Sequence, residues 1–180
     1  MQCTSCDLAN LGRTQVVFGS GRADADVLIV GEAPGAHEDE QGEPFVGRSG
    51  LVLDRLLDGS GLSRSDVYIA NVVKCRPPNN RDPRPSEIAS CSPWLDQQLQ
   101  LIKPKLIVTL GNFATRLMLG TKMGVTKIRG QEFAFSRAGI DAILIPTLHP
   151  SAVLRNGNRG LMDAQHDFDV VARRLTELAS

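Results

Sequence analysis

The residues best suited to chemistry in this chain fall into two sets. Cys3-x-x-Cys6, Cys75 and Cys91 are all four of its cysteines. In a reducing compartment such residues serve as metal ligands or buried thiols rather than as disulfides. The second set stands at the ends of apolar runs. Gly31-Glu32-Ala33-Pro34-Gly35-Ala36-His37-Glu38-Asp39-Glu40 follows Asp26-Val27-Leu28-Ile29-Val30, a short β-branched run that reads as a buried parallel strand. A strand that stops at Gly-Glu and turns through Ala-Pro-Gly delivers an acidic loop to its C-terminal edge, where open α/β sheets bind ligands. Asn71 lies near the end of a second run, Val67 to Val73, and His149 follows a later one, Ala142 to Ile145. A carboxylate can take a proton, a carboxamide can pair with a polar edge, and an imidazole can donate to developing negative charge.

Positioning these groups requires a sheet whose strand ends share one edge. The chain supplies the pattern. Val52, Leu53, Leu56 and Leu57 have helical spacing and are closed by Gly59 and Gly61. Pro85-Ser86-Glu87 opens a helix that runs past Cys91 and Trp94 toward Pro104, and Leu106 to Gly111 is a further strand. Asn112 can cap a short helix, Phe113 to Leu119. Gln131 to Ile145 suggests a small hairpin feeding the last strand, and a helix from about Leu161 to Leu178 closes the chain. Strands separated by helices predict a three-layer α/β/α sandwich with a central, mainly parallel four-stranded sheet. One domain over residues 1–180 is expected, with residues 1–22 an irregular lead-in that something must hold down.

The 180 residues, 42% of them hydrophobic, are enough for one full core. Lys and Arg total 20, as do Asp and Glu, so any grip on nucleic acid must come from a local patch rather than the overall field. Lys74, Arg76, Arg81 and Arg84 supply such a patch in a proline-bearing loop. No apolar run is long enough to span a bilayer and no signal-peptide pattern is present, so a soluble, cytoplasmic protein without membrane attachment is expected.

Several motifs in order resemble those of family 4 uracil-DNA glycosylases. They are Gly31-Glu-Ala-Pro-Gly with Glu38-Asp39, Pro44-Phe-Val-Gly-Arg, Asn71-Val-Val-Lys-Cys-Arg-Pro-Pro with Asn80-Arg81, and His149-Pro-Ser. The resemblance runs from Cys3 to about Arg155. It implies an iron–sulfur protein that excises uracil from DNA, leaving an abasic site. Four thiolates suit a [4Fe–4S] cluster or tetrahedral zinc equally well by ligand count; the resemblance favours the cluster on Cys3, Cys6, Cys75 and Cys91. Its expected part is structural, pinning the lead-in to the loop between Cys75 and Cys91.

Uracil within a duplex must leave the stack before its glycosidic bond can be reached. Phe45 offers a face for the flipped base. Asn71 can donate to uracil O4 and accept from N3–H, a pairing that cytosine reverses. Glu32 and Ala33 are the candidates for excluding thymine's methyl group. Bond cleavage needs a donor for the uracil oxygen, assigned to His149, and a carboxylate for water. Glu38 is favoured for the water and Glu32 for a pocket wall, with the reverse assignment open. Lys74, Arg76 and Arg81 are expected on phosphates, and Ser151, Leu154 and Arg155 at the gap left by the base. Asn156-Gly157-Asn158-Arg159-Gly160 has the composition of a mobile segment that orders on DNA.

The expected partner is uracil-containing DNA, single- or double-stranded, bound by a monomer. Competing readings keep the fold and change the activity. They are a relative that holds uracil DNA covalently, an iron–sulfur electron carrier, and a zinc-stabilised nucleotide-binding module. The covalent relatives carry a histidine in the loop after the second strand; Asn79-Asn80-Arg81-Asp82-Pro83 stands here instead.

Overall fold

The computed structural model describes residues 3–179; the first two residues of the expected lead-in and the last residue of the chain lie outside it. Its centre is a row of four parallel strands, β3–β2–β4–β6. Here β2 is Val27–Gly31, β3 Val67–Asn71, β4 Leu106–Leu110 and β6 Ile140–Thr147. The sheet has six strands rather than four, because two antiparallel edges are added. The lead-in contributes β1, Ser20–Gly21, against β3, and β5, Phe133–Arg137, forms the hairpin with β6. Two residues carry too little periodicity to announce β1. Gly21 permits the pairing: it has φ +128, and a Cβ there would stand 2.1 Å from the Val67 carbonyl oxygen.

The alternation along each strand sorts the core into two layers. Val27, Ile29, Val67, Ile69, Leu106 and Val108 point to one face. They pack on α2 (Gly47–Gly59) and the closing helix α6 (Pro150–Ala179). Leu28, Val30, Ala70, Ile107 and Leu144 point to the other, covered by α3 (Pro85–Ile102) and α4 (Gly111–Leu119). Leu53, Leu56 and Leu57 of α2 are fully buried, each contributing on the order of 1.5–3 kcal/mol by leaving water. This is the expected α/β/α sandwich.

Three local expectations need correction. The acidic string is not a loop: Ala36–Gln41 forms α1, because Glu38 at its third position accepts from the Gly35 N–H at 3.0 Å. Asn112 does not cap α4, which begins at Gly111; its Oδ1 accepts from the Val125 N–H at 2.7 Å and so holds α5 (Val125–Ile128). The closing helix begins at Pro150, not near Leu161, with a break at Gly157 (φ 58, ψ −141). The 156–160 segment is therefore a helix–break–helix joint.

The lead-in is held at several points. Asp39, 2% exposed, accepts from the backbone N–H of Thr14 and Gln15, and the Val17 N–H donates to the Lys74 carbonyl at 2.8 Å. The order of strands switches sides at β2: β3 is added on one side of it and β4 on the other. That switch point opens a cleft at the C-terminal strand ends.

Candidate active site

The cleft encloses about 1090 Å³. Glu32 and Ala33 enter it from the end of β2, Asn71 from β3, Gly111 and Phe113 from beyond β4, and His149 from β6. Sequence reading placed three of these strand ends on one edge. The fourth, Leu110-Gly111-Asn112-Phe113, was missed, although the same edge rule applies to it.

Asn71 is 1% exposed and its Oδ1 has no hydrogen-bond partner among the described residues. A buried acceptor left unpaired costs about 1–3 kcal/mol, so it is poised to accept from a ligand. It fits because position 31 is glycine. A Cβ there would meet Asn71 Oδ1 at 2.4 Å and the Phe45 ring at 2.5 Å. Phe45 is buried with φ 53, a left-handed conformation that an aromatic residue rarely adopts. Arg64 holds it there. Its guanidinium donates to the Pro44 carbonyl at 3.1 Å and to the Phe45 carbonyl, and pairs with Asp54 at 2.5 Å. The Phe45 ring lies 5.7 Å from that of His149.

His149 Nδ1 accepts from the Ser151 N–H at 3.2 Å and contacts the Ser151 hydroxyl at 2.8 Å. Burial, with a contribution from Arg155, lowers the pKa to about 4, so the ring is neutral near pH 7. A neutral imidazole whose Nδ1 accepts an N–H carries its proton on Nε2. His149 is therefore a neutral donor.

The two carboxylates differ. Glu32 is half-buried, and burial followed by the charge of Asp82 pushes its pKa up to about 7. Glu38 spends one oxygen on the Gly35 N–H and the other on the Val46 N–H, each at 3.0 Å. It ties α1 to the segment that carries Phe45.

The basic loop is less available than its composition suggests. Lys74 is 2% exposed, with Nζ donating to the Asn71 carbonyl and to Gln98; it does not face a phosphate, which corrects the expectation for that residue. Arg81 makes a two-point pair with Glu87, at 2.9 and 2.6 Å. Arg76 Nε donates to Asn80 at 2.8 Å. Arg84, Leu154 and Arg155 are exposed, while Ser151 is committed to His149.

Cys3, Cys6, Cys75 and Cys91 line one cavity with Phe18 and Trp94, and none is in a disulfide. Among the described residues no group of three or more His, Cys, Asp or Glu is gathered tightly enough for a single metal ion. Four thiols lining one cavity form a donor set of the kind that holds a [4Fe–4S] cluster. Burial raises the Cys91 thiol and pushes Cys75 up to about 11, against the Arg13 guanidinium 3.2 Å from Cys75 Sγ; bound metal would supply the charge that makes them thiolates.

The family model of the uracil DNA glycosylase superfamily matches residues 18–176. The chain belongs to that superfamily. It is 48% identical over 161 residues to a Type-4 uracil-DNA glycosylase of Thermotoga maritima, covering 89% of this chain and 82% of that protein. It is 46% identical over 164 residues to a protein of the same description in Sulfurisphaera tokodaii, 88% and 74% of the two chains. A Type-5 uracil-DNA glycosylase of Pyrobaculum aerophilum is 33% identical over 168 residues, 85% of this chain and 72% of its own length. Within the superfamily, then, this chain lies nearer the Type-4 members than that Type-5 one. No helix among the described residues is long and apolar enough to cross a membrane.

Proposed function

We propose that the chain is a DNA-repair glycosylase that hydrolyses the N-glycosidic bond of uracil in DNA and leaves an abasic site. The observation that carries this reading is the unpaired Asn71 carboxamide oxygen, set beside Phe45 and a neutral His149 at the sheet edge. Flipped uracil stacks on Phe45, and Asn71 accepts from its N3–H and donates to O4. Cytosine presents no N3–H and places an amine where O4 would be, so both pairings fail. Ala33 and Glu32, which line the same cleft, are assigned to flank the base and exclude thymine's methyl group.

As the N1–C1′ bond breaks, its electron pair passes to uracil. The Nε2–H of His149 stabilises the charge that grows on the uracil oxygen, worth about 2.7–4 kcal/mol for one preorganised donor. Water attacks C1′ and gives up its proton to a carboxylate. We assign that part to Glu32, reversing the preference for Glu38, because both Glu38 oxygens already accept backbone N–H groups, while among the described residues no backbone N–H donates to the Glu32 carboxylate. The Glu32 charge also faces the cationic sugar. Glu38 holds the loop.

The phosphate grip falls to Arg76, Arg84 and Arg155, with Arg81 available if its Glu87 pair opens, and Leu154 enters the gap beside Ser151. Cys3, Cys6, Cys75 and Cys91 would hold a [4Fe–4S] cluster that cross-links the lead-in to the loop after β3; it supplies structure, not a reaction step. The enzyme is read as a single-domain, cytoplasmic monomer. Incubation with an oligonucleotide carrying one uracil, followed by alkali, should give one strand break at that position. Persistence of the intact strand with saturating protein would refute the assignment.

A further inference from the structure

We propose that Lys74 is a positioning residue for base recognition, its buried amino head fixing the end of β3 and thereby the aim of the Asn71 carboxamide. The proposal rests on the reading of Asn71 as the group that reads uracil. Lys74 is among the largest fully buried side chains of the described residues, at 2% exposure. Burying a lysine is expensive, and a methionine of similar length would fill the space without that cost. The residue must therefore be kept for what its head does.

Nζ donates to the Asn71 main-chain oxygen at 2.7 Å and to Gln98 Oε1 at 2.5 Å. It lies 5.8 Å from the centre of the Phe18 ring. Gln98 is itself fixed, its Nε2 donating to the Phe18 carbonyl at 2.8 Å and to the Tyr68 hydroxyl at 3.3 Å. The Lys74 backbone is held as firmly, its N–H directed at Cys91 Sγ at 3.3 Å and its carbonyl accepting from Val17. Asn71 has the opposite character. Its Oδ1 finds no hydrogen-bond partner among the described residues, so no hydrogen bond of that oxygen sets its direction. The direction is set by the main chain at residue 71, and Lys74 is the side chain that holds that main chain.

A residue acting through another is recognised by non-additivity. Single-turnover uracil release, with enzyme saturating, is measured for the parent, Lys74→Met, Asn71→Ala and the double variant. Lys74→Met should slow release by about tenfold, the scale of one well-placed hydrogen bond. In the Asn71→Ala background the same change should add no more than about twofold. Affinity for uracil-free DNA of the same sequence should stay at the parent value. Gln98→Glu, which keeps an acceptor for Nζ, should be nearer the parent than Gln98→Leu.

Parent-like release by Lys74→Met overturns the proposal, as does a full tenfold cost in both backgrounds. Weaker binding to uracil-free DNA with an unchanged saturated rate would return Lys74 to phosphate contact. If Lys74→Met does not fold, the two Gln98 variants decide, and equal rates for Gln98→Glu and Gln98→Leu overturn it. Parent-like release by Asn71→Ala would instead remove the base-reading assignment itself; an impaired Asn71→Ala with additive Lys74→Met counts against Lys74 alone.

Discussion

Glu32→Gln separates the two carboxylates by pH as well as by rate. Burial and the neighbouring Asp82 raise the Glu32 pKa from 4.5 to about 7. If its ionised form accepts the proton of water, about nine-tenths of the protein is competent at pH 8 and about one-tenth at pH 6. Single-turnover uracil release should therefore fall about tenfold between those values and about tenfold again by pH 5. His149, with its pKa lowered to about 4, contributes no break in that window. Glu32→Gln should lose about 10²–10³ in rate at pH 8 and show a flat profile. The same substitution carries a stability signature of definite sign. Because the folded pKa lies above the unfolded one, the native state keeps a proton that the unfolded state releases between pH 4.5 and 7. Stability present at pH 4.5 is thus lost as pH rises through 7. The full shift corresponds to about 3 kcal/mol; with the carboxyl half in solvent, screening brings it to about 1–2 kcal/mol. Urea unfolding should find Glu32→Gln more stable than the parent at pH 8 by that amount, and equal to it near pH 4.5. His149 imposes the opposite trend, losing stability as pH falls from 6.5 to about 4, but it is common to both proteins and cancels. A parent profile flat from pH 6 to 8 would refute the role, and so would a dead Glu38→Gln beside an active Glu32→Gln.

Two further outcomes follow from the supports of the site. Arg64→Leu removes the clamp that holds Phe45 in its left-handed conformation; the KM for uracil DNA should rise several-fold more than the saturated rate falls, and an unchanged KM would show that packing alone holds the ring. Protein prepared without oxygen should carry about four irons per chain, and Cys75→Ser should lose them and open the lead-in to limited proteolysis; stoichiometric zinc in the parent would remove the cluster assignment.

What was legible in the sequence was whatever local composition and period could carry. Val27 to Val30 and Leu106 to Leu110 announce buried strands by unbroken apolar runs, and their ends announce the cleft. Glu38 had a readable signal too, since an acid at the third position of a helix ordinarily returns to the N-cap amide; the preceding Ala-Pro-Gly obscured the helix start. Lys74 had none. Its neighbours Arg76, Arg81 and Arg84 made it one cation of a basic loop, and its acceptor Gln98 lies 24 residues on, on the face of α3 that only sheet packing turns inward. Arg64 and Phe45 likewise meet through a backbone contact that side-chain patterns do not encode.

The stretch from Asn71 to Cys75 shows why the cysteine cavity and the base pocket are not separable parts. Beyond β3 the chain bends through Val72 to Cys75, and the Val72 and Val73 N–H groups donate to the Gly31 and Glu32 carbonyls at 2.9 and 3.1 Å. Both are fully buried. The segment is therefore tied to the end of β2, with the Asn71 carboxamide at one end and the Cys75 thiol at the other. It also holds Glu32 from behind, through the carbonyl that Val73 binds. On the proposed reading, a cluster held at Cys75 would influence uracil excision without exchanging an electron, by fixing one end of a buried segment whose other end carries Asn71.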